Sequence, residues 1–394
     1  MKTLTKGLRL SQPILSQVWD AATVSPTGDL HSRFSRRRAP TAGRVSFLRP
    51  RPLYGALLVL VAAVVLPLSA AAASVTSSPI RDTILPPSGL RLLTTSVNYW
   101  GGTFTASTGE QVTIRVSDSY PQDPAFAQRW ADFLATLLHG PEISTVIVYL
   151  APLREVQLIC GRSALACYSP SDRLLVAPAE DVTSDISAES VVMHEYGHHV
   201  AASRSDAPWA AIDYGTKRWA SYLQVCARSQ QGQLFPGAED ATNYRFNPGE
   251  AFAETYRLLN ERRLGVPEST WDIVSQSLYP DATALALVEQ DVTSPWQGNS
   301  ASSSSAALTT RARTRNVTVT TPLDGTVRVT VRGVRNARVA LDLYTSGGSR
   351  VSHTVVSGAA SKSVSTTVCG TRSYRARLTL QRGSGRFQLA VSKP

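Results

Sequence analysis

The sequence predicts an α+β domain followed by a small all-β sandwich, and three observations lead there. In the first domain the strand-like runs come early and helical periodicity follows, the order of an α+β chain rather than an alternating one. A low-complexity stretch, SASSSSAALTT at 300–310, then reads as a linker. Beyond it come about seven short alternating runs (VTVTT, TVRVTV, RVALDLYT, VSHTVV, VSTTV, YRARLTL and RFQLAV) with Gly, Asn or Ser turns between them.

Taken in order, FTASTGEQVTIRVSD (104–118) alternates as a hairpin about Thr108 and Gly109. Residues 123–140 place Phe126, Trp130, Phe133, Leu134 and Leu137 on one helical face, stopped by Gly140 and Pro141. STVIVYL (144–150) and RLLVAP (173–178) read as core strands. Ser187 is placed to cap a helix through Ser190, just before VVMHEYGHHVAAS. Further helices are expected at 208–228, 249–263 and 268–277. The resulting division is an N-terminal extension at 1–73, a flexible leader rich in Pro, Ser and Thr at 74–96, the first domain at 97–291, a Ser-rich linker at 292–310 and the β-domain at 311–394.

The formal net charge of +11 is unevenly distributed. Lys and Arg exceed Asp and Glu by 10 to 2 over residues 1–73 and by 15 to 2 over 311–394, whereas residues 74–310 hold 15 against 25. The first segment carries Arg36, Arg37, Arg38, Arg44, Arg49 and Arg51 ahead of LYGALLVLVAAVVLPLSAAAA (53–73). A basic flank, an apolar run and a small-residue exit describe an export signal cleaved after Ala73. A membrane anchor through 53–73 is the alternative, since the run approaches the ~20 residues that span a bilayer. Export makes the four cysteines disulfide candidates, and Cys160 and Cys167 could close the short loop GRSALA. Export and the lack of a nucleic-acid motif exclude a nucleic-acid partner. The basic β-domain could engage an anionic cell-wall polymer or membrane surface, or dock on its own acidic partner domain.

Three of the six histidines fall within HEYGHH (194–199). Residues four apart share a helical face, so His194 and His198 can both reach one metal ion at ~2.0–2.1 Å. Glu195 stands beside the first of them, the HExxH arrangement in which a carboxylate serves as general base. Val191, Val192, Met193, Val200, Ala201 and Ala202 make the helix apolar nearly all round and therefore buried, where imidazoles and a carboxylate need partners. His199 points elsewhere. Gly197 costs roughly 1 kcal/mol relative to Ala inside a helix, which a close neighbour over that face would explain.

A catalytic zinc needs a third protein ligand and an open position. In NPGEAFAETYR (247–257), Asn247 and Pro248 open a helix, and Glu250 and Glu254 share one of its faces. Glu250 as ligand with Glu254 behind it, bonded to His194, is the preferred assignment, because ligating histidines need such a partner to fix their tautomer. The reverse assignment stays open, and Glu239 and Asp213 are weaker candidates. Tyr244, Tyr256 and Tyr214 are candidate donors to a developing oxyanion.

HEYGHH followed by NPGEAFAETYR resembles the zincin metallopeptidases, and within them the gluzincin branch. The resemblance covers about 65 positions. It implies a zincin-like catalytic domain holding one zinc ion on His194, His198 and Glu250, with Glu195 as general base and Glu254 behind the site. The β-domain resembles accessory domains of secreted bacterial peptidases. The expected activity is an exported zinc endopeptidase acting on protein or peptide substrates: zinc activates a water and polarises the scissile carbonyl, while Glu195 takes the proton and passes it to the leaving amine. The alternative is a non-catalytic secreted or surface-displayed binding protein, which would have no need of Glu195.

Overall fold

The computed structural model describes residues 82–85, 98–370 and 372–394. The export or anchor segment expected at 53–73 lies outside these residues. Among the described residues no helix is long and apolar enough to cross a membrane.

The first domain opens with the expected hairpin, β1 (Tyr99–Thr105) and β2 (Gln111–Ser117), paired antiparallel from Tyr99 with Ser117 to Thr105 with Gln111. Helix α1 (Pro124–Thr136) follows, capped by Asp123, whose carboxylate accepts from the Ala125 amide. After β3 (Ile147–Leu150) comes a helix not foreseen, α2 (Leu153–Cys160). Then β4 (Cys167–Ser169) and β5 (Leu174–Ala177) complete a five-stranded sheet in the order β1-β2-β3-β5-β4. The pairs β2–β3 and β3–β5 are parallel and β4–β5 is antiparallel, leaving β4 as an edge. A disulfide joins Cys160 to Cys167, with their Cα atoms 5.6 Å apart, and closes the GRSALA loop.

The remainder of this domain is helical. Helix α3 (Ala188–Ala202) starts at Ser187, whose hydroxyl accepts from the Ser190 amide at 3.1 Å. The helix expected over 208–228 is broken into α4 (Ala211–Tyr214), α5 (Lys217–Tyr222) and α6 (Val225–Gln230). Gly215 stops the first at a positive φ of 76°, where a Cβ would lie 2.3 Å from the Trp219 ring, and Gln224 turns left-handed before the last. Helix α7 (Pro248–Leu264) opens on Asn247, whose side chain accepts from the Gly249 amide at 2.9 Å, and ends at left-handed Gly265. The helix expected at 268–277 is absent. Those residues form turns in which Trp271 donates to the Ser275 carbonyl and Gln276 to the Trp271 carbonyl, with one 3₁₀ turn at Gln276–Leu278. A helix not anticipated, α8 (Ala282–Thr293), follows with Asp281 as its cap.

The Ser-rich stretch taken as a linker is instead a strand. β6 (Ser300–Leu308) pairs antiparallel with β13 (Gly385–Lys393) along its full length. Pairing is a backbone matter, and exposed serines hide the apolar alternation that marks a strand in sequence. Between them lie β7 (Thr314–Thr321), β8 (Gly325–Arg332), β9 (Arg338–Thr345), β10 (Arg350–Ser357), β11 (Ser361–Val368) and β12 (Arg372–Arg382). They form two four-stranded sheets, β10-β9-β12-β7 and β11-β8-β13-β6, around a shared core that includes Val329, Leu341, Leu378 and Phe387. An α+β domain followed by a β-sandwich is thus the observed architecture. A second disulfide, Cys226–Cys369, ties α6 to the sandwich.

The contact that positions the site is α3 against α7. A Cβ built on Gly197 would lie 2.9 Å from the Ala253 Cα, 3.2 Å from its carbonyl oxygen and 3.2 Å from the Tyr256 Cβ. Glycine is what lets the two backbones approach, and this is the close neighbour that the sequence required. Gly197→Ala is therefore expected to destabilise the fold. Overpacking against backbone costs about 1–3 kcal/mol, and the gain in helix propensity returns roughly 1 kcal/mol of that. A denaturant midpoint for Gly197→Ala equal to or above that of the parent would contradict this packing argument.

Candidate metal centre

Helix α3 presents the His194 and His198 rings one turn apart, with their Nε2 atoms 3.2 Å from each other. From α7, Glu250 places Oε2 3.3 Å from His194 Nε2 and 3.4 Å from His198 Nε2. The Tyr244 hydroxyl donates to the same carboxylate oxygen at 3.0 Å. Glu254, one turn further along α7, meets the other side of His194, with Oε1 2.8 Å from Nδ1. That contact assigns a proton to Nδ1, so with a metal bound the Nε2 lone pair would face the cluster. Arg257 in turn holds Glu254, with Nε 3.1 Å from Oε2, and also Glu261, through Nη1 at 2.6 Å.

A fourth member was not anticipated. Asp82, in the segment read as a flexible leader, is 2% exposed and puts Oδ2 2.8 Å from His198 Nε2 and 3.3 Å from His194 Nε2. The leader reading therefore fails over residues 82–85. Asp82, His194, His198 and Glu250 form a buried cluster able to hold a metal ion, their donor atoms all lying within 4.8 Å of one another. Donors at about 2.0–2.1 Å from a tetrahedral ion stand about 3.3 Å from one another. The contacts of 3.2, 3.3 and 3.4 Å among His194, His198 and Glu250 match that edge. Two unsatisfied buried atoms also fit an absent cation: Glu250 Oε1 and Glu195 Oε2 have no hydrogen-bond partner.

The electrostatics point the same way. Burial pushes the Glu195 carboxyl well above its ordinary range, and the Asp82 charge and a hydrogen bond to Asp82 add to the effect. Glu239 is pushed up to about 9 by burial and by the charges of Glu250 and Asp82. Burial would lower both ligating imidazoles, but Asp82 and Glu250 outweigh it, raising His198 to about 9 and His194 well above its usual value. In the metal-free protein the protonated imidazoles balance the carboxylates around them, a place that a bound cation would take.

The other candidates fall elsewhere. His199 is structural: its Nε2 bonds the Glu142 carbonyl and its Nδ1 the Tyr168 hydroxyl, both at 2.9 Å. Asp213 lies beside Gly237, outside the cluster. The Tyr256 hydroxyl is engaged in donating to the Leu138 carbonyl, and the Tyr214 ring stacks on Trp209. A small cleft of about 40 Å³ opens beside His194 and Glu195, with Leu165, Ile186, Val191 and Ile273 on its walls.

No protein-family model matches the chain, and no curated protein matches it. Among solved structures, one similar chain is described as a carbohydrate-binding module of the β-sandwich superfamily. It is 11% identical, the alignment covers 23% of this chain and 54% of that one, and the TM-score is 0.13. A likeness of that size carries no argument about fold or ligand.

Glu254 yields a pH prediction for the metal-free protein. Burial would raise its carboxyl, but the Arg257 charge and the His194 contact overcome this and hold it down to about 2, against an ordinary 4.5. A depressed folded-state value means that the contribution to stability is complete above about 4.5 and is lost as the pH falls towards 2. Glu254→Gln should lower the melting temperature at neutral pH and lose stability less steeply across that acid window. Parallel pH profiles for parent and variant in calorimetry would refute the assignment.

Proposed function

We propose that the chain is an exported zinc-dependent peptidase of the zincin type. The observation that carries this is the convergence of His194 Nε2, His198 Nε2 and Glu250 Oε2 at tetrahedral-edge spacing, from two helices, with the Glu195 carboxyl buried beside them. Two imidazole nitrogens and a carboxylate oxygen suit zinc among the common divalent ions. When bound, zinc supplies a Lewis acid and an acidified water. The protein does the rest. Glu254 fixes the His194 tautomer, Arg257 holds Glu254, and Tyr244 orients the Glu250 carboxylate. Glu195 is the general base, its raised pKa suited to taking a proton from water and returning it to a leaving amine. The cleft's apolar walls favour an apolar side chain of a peptide substrate. The two disulfides fit an oxidising, extracellular setting.

Purified protein is expected to bind one zinc ion per chain, as read by elemental analysis. His194→Ala and His198→Ala should abolish retention, and Glu250→Ala should weaken it more than Glu254→Ala. Glu195→Gln should keep its zinc and lose hydrolysis of a denatured protein substrate by at least about 10²-fold. A parent chain that holds no zinc, or a fully active Glu195→Gln, would overturn this reading.

A further inference from the structure

Residues 82–85 reach the site by a route independent of α3 and α7. Their backbone adds to the β4 edge: the Leu85 amide donates to the Tyr168 carbonyl at 2.9 Å and the Tyr168 amide to the Thr83 carbonyl at 3.3 Å, with Ile84 bridging Tyr168 in parallel. Leu85 is buried in a small cluster with Tyr149, Val156 and Cys160. At the head of this segment Asp82 contacts both ligand imidazoles. Asp82 also forms part of the cleft lining.

Each contact blocks something that the proposed reaction needs. Three protein ligands leave a tetrahedral zinc one open position, and a fourth closes it. An exposed strand edge beside a cleft is where an extended peptide docks by strand addition, and here the chain itself lies on it. We propose that residues 82–85 are an intramolecular plug: Asp82 takes the fourth coordination position and Thr83–Leu85 cover the substrate edge, keeping the site latent until the segment withdraws. This rests on the zinc peptidase reading. His194 and His198 come from α3 and Glu250 from α7, and their mutual contacts do not run through Asp82.

The test uses the full chain, loaded with Zn²⁺ or with Co²⁺ as a spectroscopic probe, as parent, Asp82→Ala and Asp82→Asn. The variants should keep about one metal ion per chain. Acetohydroxamate, which needs an open position, should bind them at least about tenfold more tightly than the parent in calorimetry. Their Co²⁺ absorption should become pH-dependent near neutrality as a water enters, whereas the parent's should not. Hydrolysis of a denatured protein should rise at least about tenfold and vanish again when Glu195→Gln is added. Unchanged hydroxamate affinity and spectrum would overturn the plug, as would loss of metal affinity by about 100-fold or more, which would make Asp82 a permanent structural ligand. A site that opens in the variants yet hydrolyses nothing would uphold the plug and sink the peptidase reading. A parent that binds no metal would sink both.

Discussion

Carboxylates packed around two imidazoles in a dry interior are the constraint on which this domain turns. Asp82, Glu195, Glu250 and Glu254 are each no more than 2% exposed, and Arg257 is the buried cation among them, paired to Glu254 and Glu261. Burying an ionised group without compensation is far more costly than any single packing contact can repay. The arrangement could hold a metal ion, with Glu254 and Arg257 forming an outward chain behind His194. The fold serves this shell. α3 and α7 approach closely through Gly197 and Ala253, which sets the separation between imidazole nitrogens and carboxylate oxygens.

The parts of this that could be read from sequence were those written in local spacing. Four-residue intervals put His194 with His198 and Glu250 with Glu254, and the caps at Ser187 and Asn247 fixed where each helix begins. Gly197 marked a close approach because its helix cost needed a reason. Breaks were harder to read: 208–228 carries helical periodicity, but Gly215 and Gln224 adopt positive φ and divide it. The Ser-rich strand was hidden because its side chains face solvent and its partner lies more than 70 residues away.

Asp82 shows a different limit. Its only sequence mark is the stretch IRDTIL, an acid two positions from an isoleucine on either side in a segment otherwise rich in Ser, Thr and Pro. No interval ties it to HEYGHH, because strand pairing at Tyr168 rather than helical period brings it there. Long-range backbone pairing leaves no local periodicity, so a ligand delivered in this way is invisible until the sheet edge is known.

The charge asymmetry of the chain left two roles open for the basic sandwich: an anionic polymer or membrane surface, or docking on the acidic domain. The contacts at the junction use minority charges. Lys217, the only lysine in residues 74–310, lies over the Trp296 ring with its ammonium 4.3 Å from the centroid, close to Gly325. Asp324, one of the two acids beyond residue 310, receives a charge contribution from Lys217, and its amide donates to the Ser221 hydroxyl at 2.8 Å. The Cys226–Cys369 disulfide then fixes the contact covalently. Arg328, Arg332, Arg375 and Arg377 remain exposed on the strands. A covalent tie and local contacts thus join the two domains, while these arginines of the sandwich face solvent.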